Sequence, residues 1–107
     1  MVAQHKQDFG LPQDAIEKIQ SVFVNHRSIN KVLLYGSRAT GHFRLGSDID
    51  LCVEGETLTL SQLFKIENEL DDLLLPWKID ITLKHVIDNP ALLKQVQENG
   101  IVFYSRT

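Results

Sequence analysis

Residues 31–54 constrain the fold more than any other part of the chain. Two apolar stretches flank a polar turn that contains glycine, and the first stretch ends at Gly36-Ser37. After ten intervening residues, 38–47, Asp48 and Asp50 begin the second stretch. Because alternate side chains of a strand share a face, both carboxylates point to one side of the predicted sheet and the apolar residues between them face the core. The segment therefore predicts two strands, with a pair of acids where the second one starts.

Apolar periodicity and breaker residues predict the remaining elements. Helices are expected from Pro12 to about Asn25, from the capping-box pair Thr59 and Gln62 to Pro76, and from Asn89-Pro90 to Gly100 as the C′ residue. Their core faces are predicted to be Ile16, Ile19, Val22 and Phe23; Leu63, Phe64, Leu70, Leu73 and Leu74; and Leu92, Leu93 and Val96. Strands are expected at 31–35, 49–53, 78–83 and 101–104. The order α-β-β-α-β-α-β predicts an α+β fold, a mixed sheet packed against helices.

Length and charge limit the class of protein. The 107 residues predict a single domain, 1–107, with residues 1–10 as a loosely ordered lead. A net charge of −3 argues against direct nucleic-acid binding, which needs a clustered basic surface. One cysteine, no apolar signal segment and no apolar run of about 20 residues predict a cytoplasmic protein with no membrane contact.

A third acid lies in phase on a separate strand. Residues 78–83 alternate polar and apolar, which places Asp80 on a polar face. If this strand lies beside the one that carries Asp48 and Asp50, three carboxylates converge. An isolated Asp-x-Asp is more often a solvated strand face, but like charges this close favour a cation that offsets them. Magnesium suits such oxygen ligands, and two ions can clamp a phosphoryl displacement. The predicted metal ligands are therefore Asp48, Asp50 and Asp80.

The Gly-Ser turn is predicted to hold phosphates. Gly36 allows a sharp turn and a close approach of the backbone to a ligand. Ser37 offers a hydroxyl and a backbone N–H at the start of a short helix, where anions bind. Arg38 and Arg44 are candidate phosphate contacts, although loop arginines are commonly just solvated. The buried-strand thiol of Cys52 is predicted to be a packing residue.

These residues together resemble the DNA polymerase β-type nucleotidyltransferase superfamily. Gly36-Ser37, the ten-residue gap, Asp48-Ile49-Asp50 and the later Asp80 match its motif in order and strand context. The compact form Gly-Ser-Arg-Ala-Thr-Gly…Ser-Asp-Ile-Asp-Leu most resembles the minimal nucleotidyltransferase (MNT) proteins, which are encoded beside a HEPN-domain protein. Thr40 departs from the pattern, because many relatives have arginine there.

The resemblance implies an activity and a partner. Asp48 and Asp50 would hold magnesium on ATP, Gly36 and Ser37 would contact its phosphates, and Asp80 would complete a second metal site and help to deprotonate the acceptor hydroxyl. AMP would pass to a tyrosine of a HEPN toxin, with this chain as the antitoxin in a hetero-oligomer. The small size predicts that the partner completes the acceptor site. Two alternatives stay open: a transferase for an aminoglycoside-type small molecule, and a non-catalytic module that binds nucleotide or caps the partner.

Overall fold

A computed structural model describes residues 9–106 and shows a four-stranded sheet packed against helices. The elements are α1 (Gln13–Val24), β1 (Lys31–Tyr35), α2 (Ser37–Thr40), β2 (Ile49–Glu54), α3 (Leu60–Asp71), β3 (Ile79–Leu83), a 3₁₀ turn (Lys84–Val86), α4 (Pro90–Asn99) and β4 (Ile101–Ser105). The predicted order of strands and long helices is confirmed, and so is the α+β class. Residues 1–8 of the predicted loose lead lie outside the described residues.

The sheet has the order β3-β2-β1-β4 and is mixed. Strand β1 pairs antiparallel with both β2 and β4, whereas β2 and β3 run parallel. A parallel pair needs a crossover, and α3 supplies it between β2 and β3. The turn at Gly36 and the start of β2 therefore lie at one end of the sheet, the end at which β3 also begins.

Helices cover both faces of the sheet. Helices α1 and α3 pack on the face that receives Ile49, Leu51 and Val53, all fully buried. Helix α4 covers part of the opposite face, where Val96 packs with Tyr35 and Cys52 in a smaller apolar cluster. Helix α4 therefore leaves the acids at the start of β2 and β3 accessible, with Asp80 44% exposed.

Helix α3 differs from its predicted course. The capping box is confirmed, since Gln62 N donates to Thr59 Oγ1 at 3.1 Å and Thr59 N to Gln62 Oε1 at 2.9 Å. The helix ends at Asp71, well before Pro76, because the chain reverses through Leu74 at φ 57°. The predicted core positions of Phe64 and Leu74 are wrong, since these side chains are 58% and 87% exposed.

The face of α3 that does pack against the sheet consists of Leu63, Ile66 and Leu70. The spacing of these three residues follows the helical repeat better than the predicted set did. Within residues 9–106, no helix is long and apolar enough to cross a membrane.

Helix α4 begins as predicted at Asn89, whose side chain accepts hydrogen bonds from the backbone N–H groups of Ala91 and Leu92. Gly100 caps the other end, but in an extended conformation (φ −65°, ψ 137°) rather than the left-handed one expected of a C′ glycine. A Cβ at Gly100 would lie 2.4 Å from the Val96 carbonyl oxygen. Glycine is therefore required here for close backbone packing rather than for its left-handed conformation.

Candidate active site

Strand register brings one row of polar side chains together at the open end of the sheet. Asp50 of β2 lies directly opposite Tyr35 of β1 on one side and Asp80 of β3 on the other. Neighbouring strands lie about 4.8 Å apart, so Asp50 and Asp80 are adjacent on the same face. Asp48 is exposed and lies two residues before Asp50, just ahead of the first residue of β2. The structure therefore brings the three predicted acids to one end of the sheet.

The charges in this row oppose one another. Burial raises the pKa of Asp50 above its usual value, and the nearby carboxylates of Asp80 and Asp48 raise it further. Lys78 acts in the opposite direction, and its Nζ lies 3.7 Å from Asp80 Oδ1. Burial also raises the pKa of Tyr35, against a hydrogen bond with Thr82 that lowers it. The surroundings of the half-buried Asp50 thus disfavour its ionised form, and Lys78 offsets this effect only in part.

We expect this charge to appear in the pH dependence of stability. Because the folded-state pKa of Asp50 is raised, ionised Asp50 lowers the free energy of unfolding at neutral pH. The penalty shrinks as pH falls through the raised pKa and vanishes below 3.8, where the carboxyl is protonated in both states. Asp50→Asn should therefore be more stable than the wild type at pH 7, and the difference should close towards pH 4 in denaturant titrations. A difference that does not change with pH would contradict this.

Gly36 supports the site by its close approach to Asp50. It adopts φ 77° and ψ −156° between β1 and α2, and a Cβ there would lie 2.5 Å from Asp50 Oδ2. Only glycine readily adopts this backbone conformation. Ser37 follows as the first residue of α2, and the carbonyl oxygen of Gly36 accepts hydrogen bonds from the N–H groups of Ala39 and Thr40. The predicted turn next to the acids is thus present.

Gly36→Ala tests this contact. The strained backbone and the clash with Asp50 should lower the free energy of unfolding by about 1–3 kcal/mol. Gly46→Ala is the matched control in the following loop, because a Cβ there meets nothing within 4 Å. Urea denaturation of both variants checks the prediction. Equal stability of the two variants would show that the turn does not need glycine.

The two arginines that were predicted to contact phosphate differ in burial. Arg38 as a whole is 2% exposed, and its guanidinium donates to main-chain carbonyls of Phe9, Arg44, Leu45 and Ser47. Main-chain carbonyls thus accept hydrogen bonds from all three guanidinium nitrogens, and a nucleotide contact by Arg38 stays a prediction. Arg44 is exposed in the loop that leads to Asp48, and its role as a phosphate contact stays a prediction.

Cys52 is confirmed as a packing residue. It lies on the same face as Asp50 but is fully buried against Tyr35 and Val96. Burial raises the pKa of its thiol to about 11, with Glu54 adding to the effect and Lys84 opposing it. A thiol held protonated in this way is a poor nucleophile at neutral pH.

The donor set suits magnesium shared with a substrate. Within residues 9–106, no three His, Cys, Asp or Glu side chains form a ready-made enclosure for an ion. The predicted three-carboxylate ligand set is therefore not preformed. Magnesium, however, commonly takes one or two carboxylates together with substrate phosphates. The mutually repelling carboxylates of Asp50 and Asp80, with Asp48 close by, fit that mode of binding.

A cavity of about 320 Å³ adjoins Asp80 at the free edge of β3. Trp77, Lys78 and Asp80 line it from the strand side, and Glu67 and Asp71 line it from α3. Lys78 shares the polar face of the predicted strand with Asp80, but its sequence position alone indicated no role in the site. The cavity itself could not be read from sequence, because it depends on where α3 ends beside β3.

Comparison with known proteins agrees with this geometry. A family model described as polymerase beta nucleotidyltransferase matches residues 17–107. The chain belongs to the polymerase β nucleotidyltransferase family. The resemblance read from Gly36-Ser37 and the acids is thereby confirmed, and the protein is an enzyme of the nucleotidyltransferase class.

Individual relatives are also of the minimal type. A Methanocaldococcus jannaschii protein provisionally named protein adenylyltransferase MJ0128 is 31% identical over 83% of this chain and 91% of its own length. A solved structure provisionally described as a minimal nucleotidyltransferase is 29% identical, with a TM-score of 0.66, covering 92% of this chain and 98% of its own. The MNT resemblance is therefore confirmed.

One chain of a solved toxin–antitoxin complex has the same fold. A chain in the structure of a tri-AMPylated Shewanella oneidensis HEPN toxin with MNT antitoxin matches with a TM-score of 0.65. Its identity is 21%, and the match covers 88% of this chain and 72% of that one. At this identity the likeness establishes the fold.

Proposed function

We propose that this nucleotidyltransferase transfers AMP from ATP to a hydroxyl of a partner protein, and that the partner is a HEPN toxin modified on tyrosine. The observation that carries the proposal is the register that places Asp50 beside Asp80, with the glycine turn against Asp50. The provisional name of the M. jannaschii relative and the AMPylated toxin in the structural neighbour support the choice of AMP and of a protein acceptor.

The residues divide into a phosphate-binding part and an acid–base part. Gly36 and Ser37, with Arg44 as a further candidate contact, orient the triphosphate at the start of α2. Asp48 and Asp50 would hold magnesium together with those phosphates, with Asp80 as a third ligand. When bound, magnesium offsets the charge that builds up on the phosphoryl oxygens. Two ions suit this site, because carboxylates lie on both β2 and β3.

Asp80 acts on the acceptor. Its carboxylate is half-exposed at the free edge of β3, so an incoming hydroxyl can reach it. The hydroxyl oxygen attacks the α-phosphorus while its proton passes to Asp80, and the bond from that phosphorus to the bridging oxygen breaks. Pyrophosphate leaves, and AMP stays on the acceptor. Asp80 ends the step protonated and returns the proton to water.

The antitoxin role follows from the acceptor. If AMP is placed on a tyrosine that the HEPN RNase needs, the modification itself silences the partner. The two proteins would then meet at the edge of β3, and a stable hetero-oligomer would hold the tyrosine in place.

The test compares acceptors under identical conditions. The chain is incubated with magnesium and ATP labelled at the α- or the γ-phosphate, together with either the HEPN protein or an aminoglycoside. We expect label on the HEPN protein from α-labelled ATP alone. Label on the aminoglycoside would favour the small-molecule reading, and label on neither acceptor would contradict transfer.

A further inference from the structure

Arg38 is a buried cation that no carboxylate offsets. Within residues 9–106 it forms no ion pair, and main-chain carbonyls accept its hydrogen bonds. Its Nη1 donates to Phe9 O at 2.8 Å, and Cζ lies 5.1 Å from the centroid of the Phe43 ring. Burying a charged group costs free energy unless hydrogen bonds satisfy it. We therefore ask what the hydrogen bonds of Arg38 hold in place.

The carbonyls that Arg38 binds belong mainly to the loop before Asp48. Nε and Nη2 both reach Ser47 O, at 3.1 and 3.0 Å, and Nη2 also reaches Leu45 O at 3.1 Å. Ser47 directly precedes Asp48, and the side chain of Leu45 is 87% exposed. Leu45 therefore contributes no apolar packing that would hold this part of the loop. Arg38 therefore fixes the peptide that delivers Asp48 to the site.

Trp77 joins the same loop to β3. Its Nε1 donates to Leu45 O at 2.9 Å, and its ring lies 6.0 Å from the Arg38 guanidinium carbon. The next residue, Lys78, accepts a hydrogen bond from Ile49 N at 2.9 Å through its carbonyl. One connected set of contacts thus runs from the loop to the strand that carries Asp80.

We propose that Arg38, with Trp77, is a positioning residue that keeps the Ser37 turn, the Asp48 loop and the start of β3 in catalytic register. Arg38 is suited to this because it belongs to α2, whose first residue is Ser37, and its planar guanidinium bonds several carbonyls at once. The proposal rests on the proposed function, since register matters only where the three elements act on one substrate.

Arg106 provides a matched comparison. It too binds main-chain carbonyls, those of Ile29, Phe23, Val24 and His26. These lie at the end of α1 and the turn before β1, the opposite end of β1 from Gly36. Loss of Arg106 should lower stability without disturbing the site, so it separates a positioning role from a purely structural one.

The experiment compares Arg38→Met, Arg38→Lys and Arg106→Met at a temperature where circular dichroism shows each to be folded. We expect Arg38→Met to lower kcat for AMP transfer by about 10²-fold, because small misplacements of catalytic groups are that costly. The magnesium concentration that half-saturates ATP binding should rise about 10-fold or more. Arg38→Lys should not restore either value, since an ammonium cannot bridge the same carbonyls. Arg106→Met should keep both values near the wild type.

Two further readouts do not depend on turnover. Trp77 is the only tryptophan, so its fluorescence should shift to longer wavelength in Arg38→Met and stay unchanged in Arg106→Met. Amide hydrogen exchange of residues 41–48 should quicken in Arg38→Met. If that variant does not fold, Trp77→Phe keeps an aromatic side chain, removes the Nε1 donor to Leu45 O and should quicken the same amides.

The outcomes separate the two proposals. A wild type that binds ATP but transfers nothing overturns the proposed function, while magnesium dependence, fluorescence and exchange still decide the role of Arg38. If Arg38→Met changes these no more than Arg106→Met does, or if Arg38→Lys restores them, the positioning role is overturned.

Discussion

Asp80→Asn is expected to lower AMP transfer by about 10²–10⁴-fold while ATP still binds, because it removes the group that takes the proton from the acceptor. Asparagine has nearly the same shape, and the pairing of β3 with β2 through the backbone is unaffected. The drop should therefore appear in kcat, with little change in the affinity for ATP. Single-turnover transfer and equilibrium binding of a fluorescent ATP analogue separate the two quantities.

Asp71→Asn is the matched control. Asp71 lines the same cavity as Asp80 but belongs to α3, on the opposite wall. Its replacement changes the charge of the cavity equally and leaves β3 intact, so transfer should stay close to the wild-type rate. A comparable loss in both variants would mean that cavity charge, rather than a specific base, governs the reaction.

Asp50→Asn is expected to have the second large effect, at an earlier step. Asp50 is the half-buried member of the row, between Tyr35 and Asp80 and against Gly36. Loss of a magnesium ligand should cost about 4 kcal/mol of transition-state stabilisation, or about 10³-fold in kcat/KM. Unlike Asp80→Asn, this variant should also lose the magnesium-dependent part of ATP binding.

Thermal denaturation reports this loss without any reaction. A ligand that binds only the folded state raises the free energy of unfolding by about 2.7 kcal/mol at a hundredfold excess over its Kd. Magnesium with a non-hydrolysable ATP analogue should raise the Tm of the wild type and leave that of Asp50→Asn nearly unchanged. An equal rise in both proteins would exclude Asp50 as a ligand.

The sequence predicted the strands and the position of the acids well, for a local reason. A strand places alternate residues on one face, so the shared side of Asp48 and Asp50 followed from their spacing. Asp80 joins them because β3 pairs with β2 in the register that sets it opposite Asp50. Capping residues predicted the starts of α3 and α4 in the same way. These signals depend on near neighbours in the chain, and tertiary packing agreed with them.

Local sequence patterns say least about burial, which tertiary packing decides. Phe64 and Leu74 are apolar but exposed, since α3 turns its Leu63-Ile66-Leu70 stripe to the core and ends before Leu74. Arg38 stands in a polar loop in sequence, yet folding encloses it among carbonyls that come from Phe9 and from residues 44–47. No local sequence pattern indicates that Arg38 is buried, so the sequence suggested only a contact between its charge and a phosphate.

The intact mass of the partner after reaction tests AMP transfer most directly. The proposed partner, a HEPN-domain protein, is incubated with the chain, magnesium and ATP, and pyrophosphate is measured in parallel. We expect the partner to gain the mass of one or more adenylyl groups on tyrosine, with one pyrophosphate released for each. A partner that is silenced but keeps its original mass, or gains phosphoryl groups instead, would contradict it.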